Sequence, residues 1–377
     1  MAFVLIFWKQ LLFGKYDHVT RLEHFIMFIF IKNQASKLFR EMTRLTSDNG
    51  QPNINQVWDA VKDIEAIRLN IKNFGYFLGK NYQHKLNNIE IVDQPVIQGL
   101  GSKPTTQADM ESKWFRYWCN ELHIAPIYHR KLWEYAFVLQ CLHENNLLFP
   151  GKCGLGFGCG EEPVASYFAS KGINAHVTDL EIEKVVGTGW LETNQHTSNL
   201  EAAFHPAICS RDKFEAHVSH EYVDMNNIPS KLSGMYDFCW SICAMEHLGS
   251  IEKGLSFVEK SLDALKPGGI AIHTTEYNYL SEDLTIDNWP TVLFLKKHLE
   301  SLAQHLNESG HHFLGPSFDV GDGVLDRFID IPPYAIDEGF KKDLWTSIKQ
   351  DAFLKLSIGG FACTCFGIVI KKDEGKT

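Results

Sequence analysis

Residues 151–180 read GKCGLGFGCGEEPVASYFASKGINAHVTDL, and no other stretch limits the fold as tightly. Glycines alternate at Gly154, Gly156, Gly158 and Gly160. A backbone without Cβ atoms can turn sharply there and admit a ligand at close range. A helix is expected directly afterwards. Glu161 and Glu162 suit its positive end, Pro163 is tolerated in a first turn, and Val164, Phe168 and Ala169 supply one apolar face. Gly172 reads as its stop. Ile173 to Thr178 then reads as a strand, and Asp179 follows where an acid can hydrogen-bond a ribose hydroxyl. The unit is strand, loop, helix, strand.

The glycine spacing separates the cofactors such a unit can hold. The dinucleotide pattern G-x-G-x-x-G fails, because its third glycine would fall on Cys159, Glu161 or Pro163. A pyrophosphate also wants a helix N-terminus free of anions, and this one carries Glu161 and Glu162. S-adenosylmethionine has a ribose and an adenine but no phosphate, and its sulfonium is cationic. Adjacent carboxylates favour it.

These residues resemble the class I S-adenosylmethionine-dependent methyltransferases, whose turn is an acid followed by G-x-G-x-G, matched by Gly156, Gly158 and Gly160. The family's acid falls on Gly154. The resemblance extends downstream. His220 to Val223 reads as a third strand, and the family pattern implies that Asp224 bonds the adenine amino group while Met225 stacks on the ring. Tyr236 to Ser241 followed by Ala244-Met245-Glu246-His247-Leu248 is similar to the fourth-strand motif. The apolar face Ile251, Leu255, Val258, Leu262, Leu265 runs into Lys266-Pro267-Gly268-Gly269 and the strand Ile270 to Ile272, as at the family's fifth strand. The implied fold is α/β, a Rossmann-like seven-stranded sheet with an N-terminal helical extension. Thr291 to Leu306 reads as helix, and Asp326 to Ile331 and Phe361 to Ile370 as the last two, antiparallel strands. Between them, 331–355 reads as an insertion that completes a substrate pocket.

The implied cofactor set is Gly156, Gly158, Gly160, Asp179, Asp224, Met225 and Ser241. A methyl acceptor with a hydroxyl gains from a positioned base. The candidates are His247, Glu276 and His273, with a core role as the alternative for both histidines. The polar loop Gly187 to Trp190 and Asn194 to His196 borders the same crevice.

The rest of the chain divides into a helical region at 1–92, a linker at 93–108 and the catalytic domain from 109, with an aromatic helical segment at 109–146 as its lid. Trp133 and Glu134 in that segment either face the site or, for Trp133 with Phe137, pack into the core. Tyr16 to Leu45 reads as helix; Val57, Val61, Ile64, Ile71, Phe74 and Leu78 form a second helical stripe, weakened at its end by Gly75 and Gly79, that suggests self-association as a homo-oligomer. The apolar runs Phe3 to Trp8 and Phe25 to Ile31 fall short of the roughly 18 residues a membrane span needs, and fit burial or peripheral membrane contact.

A net charge of −10 speaks against a nucleic-acid surface. Nine cysteines, an odd number with neither Cys239/Cys243 nor Cys363/Cys365 matched by a second pair, read as reduced cytoplasmic thiols and no zinc site. The acceptor is a small molecule, with a carbohydrate hydroxyl suggested by resemblance to bacterial methyltransferases of sugar and polysaccharide pathways. Two other classes stay open: a scaffold that binds the adenosyl compound without catalysis, and an NAD-dependent oxidoreductase.

Overall fold

The sheet is built from the strands that the apolar runs demand, in a computed structural model that describes residues 51, 53–181, 200–332, 334 and 352–375. Its main path holds β1 (Cys153–Phe157), β2 (Asn174–Asp179), β3 (Val218–Tyr222), β4 (Tyr236–Ile242), β5 (Leu265–Asn278), β6 (Lys355–Ile358) and β7 (Phe361–Lys371), with the two-residue strand Ile329–Asp330 at its end. They lie in the order β3-β2-β1-β4-β5-β7-β6. The first five are parallel to one another, whereas β7 runs antiparallel to both β5 and β6. This is the α/β, Rossmann-like seven-stranded arrangement expected from the motifs. The chain reverses between β1 and β4, so the crevice above Phe157 and Ile242 is where a ligand belongs in such a sheet.

The chain splits into two compact units at Leu69/Asn70. In the first, helix α1 (Ile54–Val61) starts under an Asn53 cap whose side chain accepts from the Gln56 N–H. Helix α2 (Ile64–Asn87) continues into the second unit, and its glycines do not end it. Gly75 is buried because the Phe328 ring occupies the place of a side chain. Lys72 is buried on the same helix and pairs with Asp330 at 2.7 Å. The expected linker docks from Ser102 onward: Lys103–Pro104 pairs with Gly367 and Phe366 of β7, and Ser102 and Thr105 are fully buried. The expected helix at 16–45, the apolar runs Phe3 to Trp8 and Phe25 to Ile31 and the polar loop at 187–196 lie outside the described residues.

Helices α3 (Lys113–Glu121) and α4 (Arg130–Glu144) fill the segment read as a lid. Trp133 and Phe137 stack at 4.6 Å in the core, and the indole N–H donates to Asp109 at 3.0 Å. Further on come α5 (Val164–Ser170), α6 (Arg211–His217), α7 (Ile251–Ser261) and α8 (Lys296–Glu308). The sixth strand departs from expectation. It is Lys355–Ile358, beginning at the last residue of the stretch read as an insertion, while Ile329–Asp330 only extends the sheet beside it. Gly359 and Gly360, both at positive φ, make the two-residue turn that joins β6 to β7.

Candidate functional site

The turn after β1 is Gly158-Cys159-Gly160, two residues later than the glycine pattern suggests. Gly154 and Gly156 lie within β1, where side chains would collide with Phe238 and with Cys159 and Trp240. Gly156 therefore serves packing and is not on the cavity wall, a correction to the expected cofactor set. Gly158 and Gly160 have φ of 60° and 51°, and Gly158 leaves only 2.8 Å between an added Cβ and that of Ala244. Here the turn needs glycine.

Above this turn lies a cavity of about 550 Å³ walled by Gly158, Gly160, Asp179, Asp224, Met225, His247 and Glu276, a volume usual for small-molecule sites. Seven of the ten residues expected at the site are thus brought together. Asp179, the last residue of β2, accepts the Gly160 N–H at 3.3 Å and its neighbour Leu180's at 2.8 Å. Asp224 accepts the Asn226 N–H at 2.9 Å, and the Met225 sulfur approaches Gly158.

Two expected residues lie elsewhere. His273 on β5 is fully buried, its Nδ1 2.8 Å from the Ser241 hydroxyl and its Nε2 3.0 Å from that of Ser261. Burial pushes its imidazole down to about 3. His273 and Ser241 form a polar bridge in the core between β4, β5 and α7. The alternation of β5 explains this: Thr275 and His273 share a face, and Glu276 points the other way.

Several wall residues had no sequence signal as a set. Arg130, Lys131, Glu134 and Tyr135 occupy one face of the first turns of α4; Arg130, Lys131 and Tyr135 line the cavity, and Glu134 lies behind it. Cations at a helix N-terminus oppose its dipole. Carboxylates offset this: Arg130 forms an ion pair with Glu276, and Lys131 Nζ lies 3.6 Å from Glu134. Glu134 is fully buried, yet its carboxyl is held below the ordinary range. Desolvation pushes it up, and Lys131, Arg130 and the hydrogen bonds from Cys243 and Thr274 outweigh that.

Glu246 and Glu162 complete the wall. Glu246 is fully buried; the Thr275 hydroxyl donates to its Oε2 at 3.2 Å, and its Oε1 has no hydrogen-bond partner. Burial, then the nearby Glu276, pushes this carboxyl up to about 8. Burial likewise pushes Glu162 well above the ordinary carboxylate range. The imidazole of His247 is pushed down to about 4, chiefly by burial, while its Nδ1 lies 3.1 Å from the Pro290 carbonyl. It is neutral at neutral pH.

No protein-family model matches the chain. No curated protein matches it either. Among solved structures it is similar to the [4+2]-cyclase SpnF, at 14% identity over 80% of this chain and 97% of that one, with a TM-score of 0.41. Phosphoethanolamine N-methyltransferase 2 of Haemonchus contortus, in complex with S-adenosyl-L-methionine, is 15% identical over 62% of this chain and 52% of its own, with a TM-score of 0.37. An S-adenosylmethionine-dependent methyltransferase from Mesorhizobium loti is 13% identical over 62% and 96%, with a TM-score of 0.34. These likenesses are distant. Strand order and the cavity carry the reading of this chain.

Proposed function

We propose that the chain is an S-adenosylmethionine-dependent methyltransferase acting on a small molecule bound in the cavity, and that a sugar hydroxyl is its acceptor. The observation that carries this reading is the pairing of Asp179 with the Gly158–Gly160 turn on one cavity wall. An acid at the end of the second strand suits a ribose, and a turn followed by Glu161 suits a sulfonium better than a pyrophosphate. The residues fit the adenosyl group: the positive-φ glycines let the backbone approach it, Asp224 supplies an acceptor, and Met225 an apolar surface.

When bound, S-adenosylmethionine supplies an already activated methyl group, so the protein's tasks are alignment and exclusion of water. Glu276, held by Arg130, orients the acceptor. His247, neutral at neutral pH, accepts the hydroxyl proton.

Calorimetric titration with S-adenosylmethionine, S-adenosylhomocysteine and NAD tests the cofactor, and labelled methyl donor with a panel of sugars and amines tests the acceptor. Adenosyl binding without NAD binding, followed by label transfer to a sugar, is the expected result. Adenosyl binding without transfer to any compound favours a scaffold, and no adenosyl binding removes the proposal.

A further inference from the structure

Cys243 is the first residue after β4 and one of four non-glycine residues at positive φ among those described, at 50°. Its backbone N–H donates to the Thr274 carbonyl and hydroxyl, both at 3.1 Å, which holds the bend. A side chain other than glycine, asparagine or aspartate is seldom kept in that conformation without a use for its direction. The bend turns the thiol toward α4 and β7. Its sulfur lies 3.7 Å from that of Cys365 and 2.8 Å from Glu134 Oε2. A second group, Glu246 and Glu276, places carboxylate oxygens within 4.8 Å of the same sulfur and of one another.

The distances have a chemical meaning. Two sulfurs bound to one tetrahedral zinc at about 2.3 Å each stand about 3.8 Å apart. Cys243 and Cys365 already have that separation. Glu134 adds a carboxylate with both sulfurs within 4.8 Å, and its fully buried Oε1 has no hydrogen bond and lies 3.6 Å from Lys131 Nζ. The Glu246 Oε1 is likewise buried without a hydrogen bond.

We propose that Cys243, Cys365 and Glu134 bind a thiophilic divalent cation, zinc by preference, with its fourth position opening on the cavity. Cys243 is the one ligand of the three that lines the cavity, so the open position falls beside Glu246 and Glu276. Three protein ligands with one place left open is the arrangement of a reactive zinc site. Binding breaks the Cys243 hydrogen bond to Glu134, forms two sulfur–metal bonds and one oxygen–metal bond, and releases two thiol protons to solvent. Two thiolates and one carboxylate against a dication leave one negative charge, which Arg130 and Lys131 stand close enough to balance. No oxidant or reductant enters.

The test uses the full chain, reduced and stripped with a chelator. Zinc chloride titration should show one ion per chain by calorimetry and elemental analysis, and cobalt should give a thiolate-to-metal charge-transfer absorption. Zinc affinity should rise with pH along a slope approaching two protons. Cys243→Ser and Cys365→Ser should each lower it at least 100-fold, and Glu134→Gln about 10- to 100-fold. Glu134→Gln keeps the shape of the side chain, and an unchanged near-ultraviolet circular dichroism spectrum for it shows that the fold survives. No stoichiometric uptake, or a cobalt band that persists in both serine variants, overturns the proposal. So does a reduced protein that takes up no zinc yet oxidises to a Cys243–Cys365 disulfide.

Discussion

Arg130 and Glu276 form an ion pair across the cavity between the first residue of α4 and the carboxyl-terminal half of β5, 146 positions apart. Both side chains are largely buried, and β5 places Glu276 opposite Cys365 of β7. Removing one partner leaves an uncompensated charge, which typically costs about 3–5 kcal/mol. Arg130→Met and Glu276→Gln should each destabilise strongly in urea melts, and the double variant should be less destabilised than their sum. Additive effects would show that the pair is not coupled.

Asp179 should matter to binding more than to stability. Asp179→Ala is expected to weaken S-adenosylhomocysteine binding by about 1–3 kcal/mol, the cost of a lost charged acceptor. Calorimetry measures it directly. Unchanged affinity would move the ribose away from β2.

The alternating glycines should separate into two classes. Gly156→Ala puts a methyl group against Trp240 and Cys159 inside the core and should lower stability by about 1–3 kcal/mol, as overpacking does. Gly158→Ala, at φ 60° on the cavity wall, should weaken adenosyl binding as well. Thermal melts and calorimetry on both variants distinguish them.

That contrast shows what the sequence made legible. Turn, helix and acid at 154–179 marked a ligand-binding α/β unit, but a glycine string does not say where strand ends and turn begins. Trp240 decides it, by needing the space over Gly156. The expected residues next to the motifs, Asp179, Asp224, His247 and Glu276, could be found because each lies near or just past the carboxyl-terminal end of a strand. Arg130 and Lys131 carried no such signal, since only the fold brings α4 against β5 and the bend after β4; Glu134, a candidate to face the site, lies behind the wall. His273 looked like its neighbour Glu276 until strand alternation separated them. The sixth strand went unread although Gly359-Gly360 is a hairpin signal, because four residues make too short a pattern.

Glu246 predicts a pH dependence. Its carboxyl is raised from 4.5 to about 8, so between those values the unfolded chain gives up its proton while the folded chain keeps it. That makes the contribution unfavourable and growing as pH rises from about 4.5 toward 8. Glu246→Gln removes the penalty. Its melting temperature should exceed that of the unaltered protein at pH 7.5 by about 1–2 °C for each kcal/mol recovered, and the gap should close near pH 5. A constant gap across that range would assign the proton elsewhere.

One edge of β7 is shared by three separate segments. β6 pairs with its start, Lys103–Pro104 with Phe366 and Gly367, and His312–Phe313 with its end, while β5 covers the opposite edge for nine residues. Detaching this strand would strip hydrogen bonds from all four at once. Its amides should therefore exchange with deuterium only when the whole sheet opens, whereas those of β3, paired along the main path to β2 alone, exchange through local fraying. The candidate metal ligand Cys365 lies within that stretch, so the proposed metal site is anchored in the part of the sheet expected to open last.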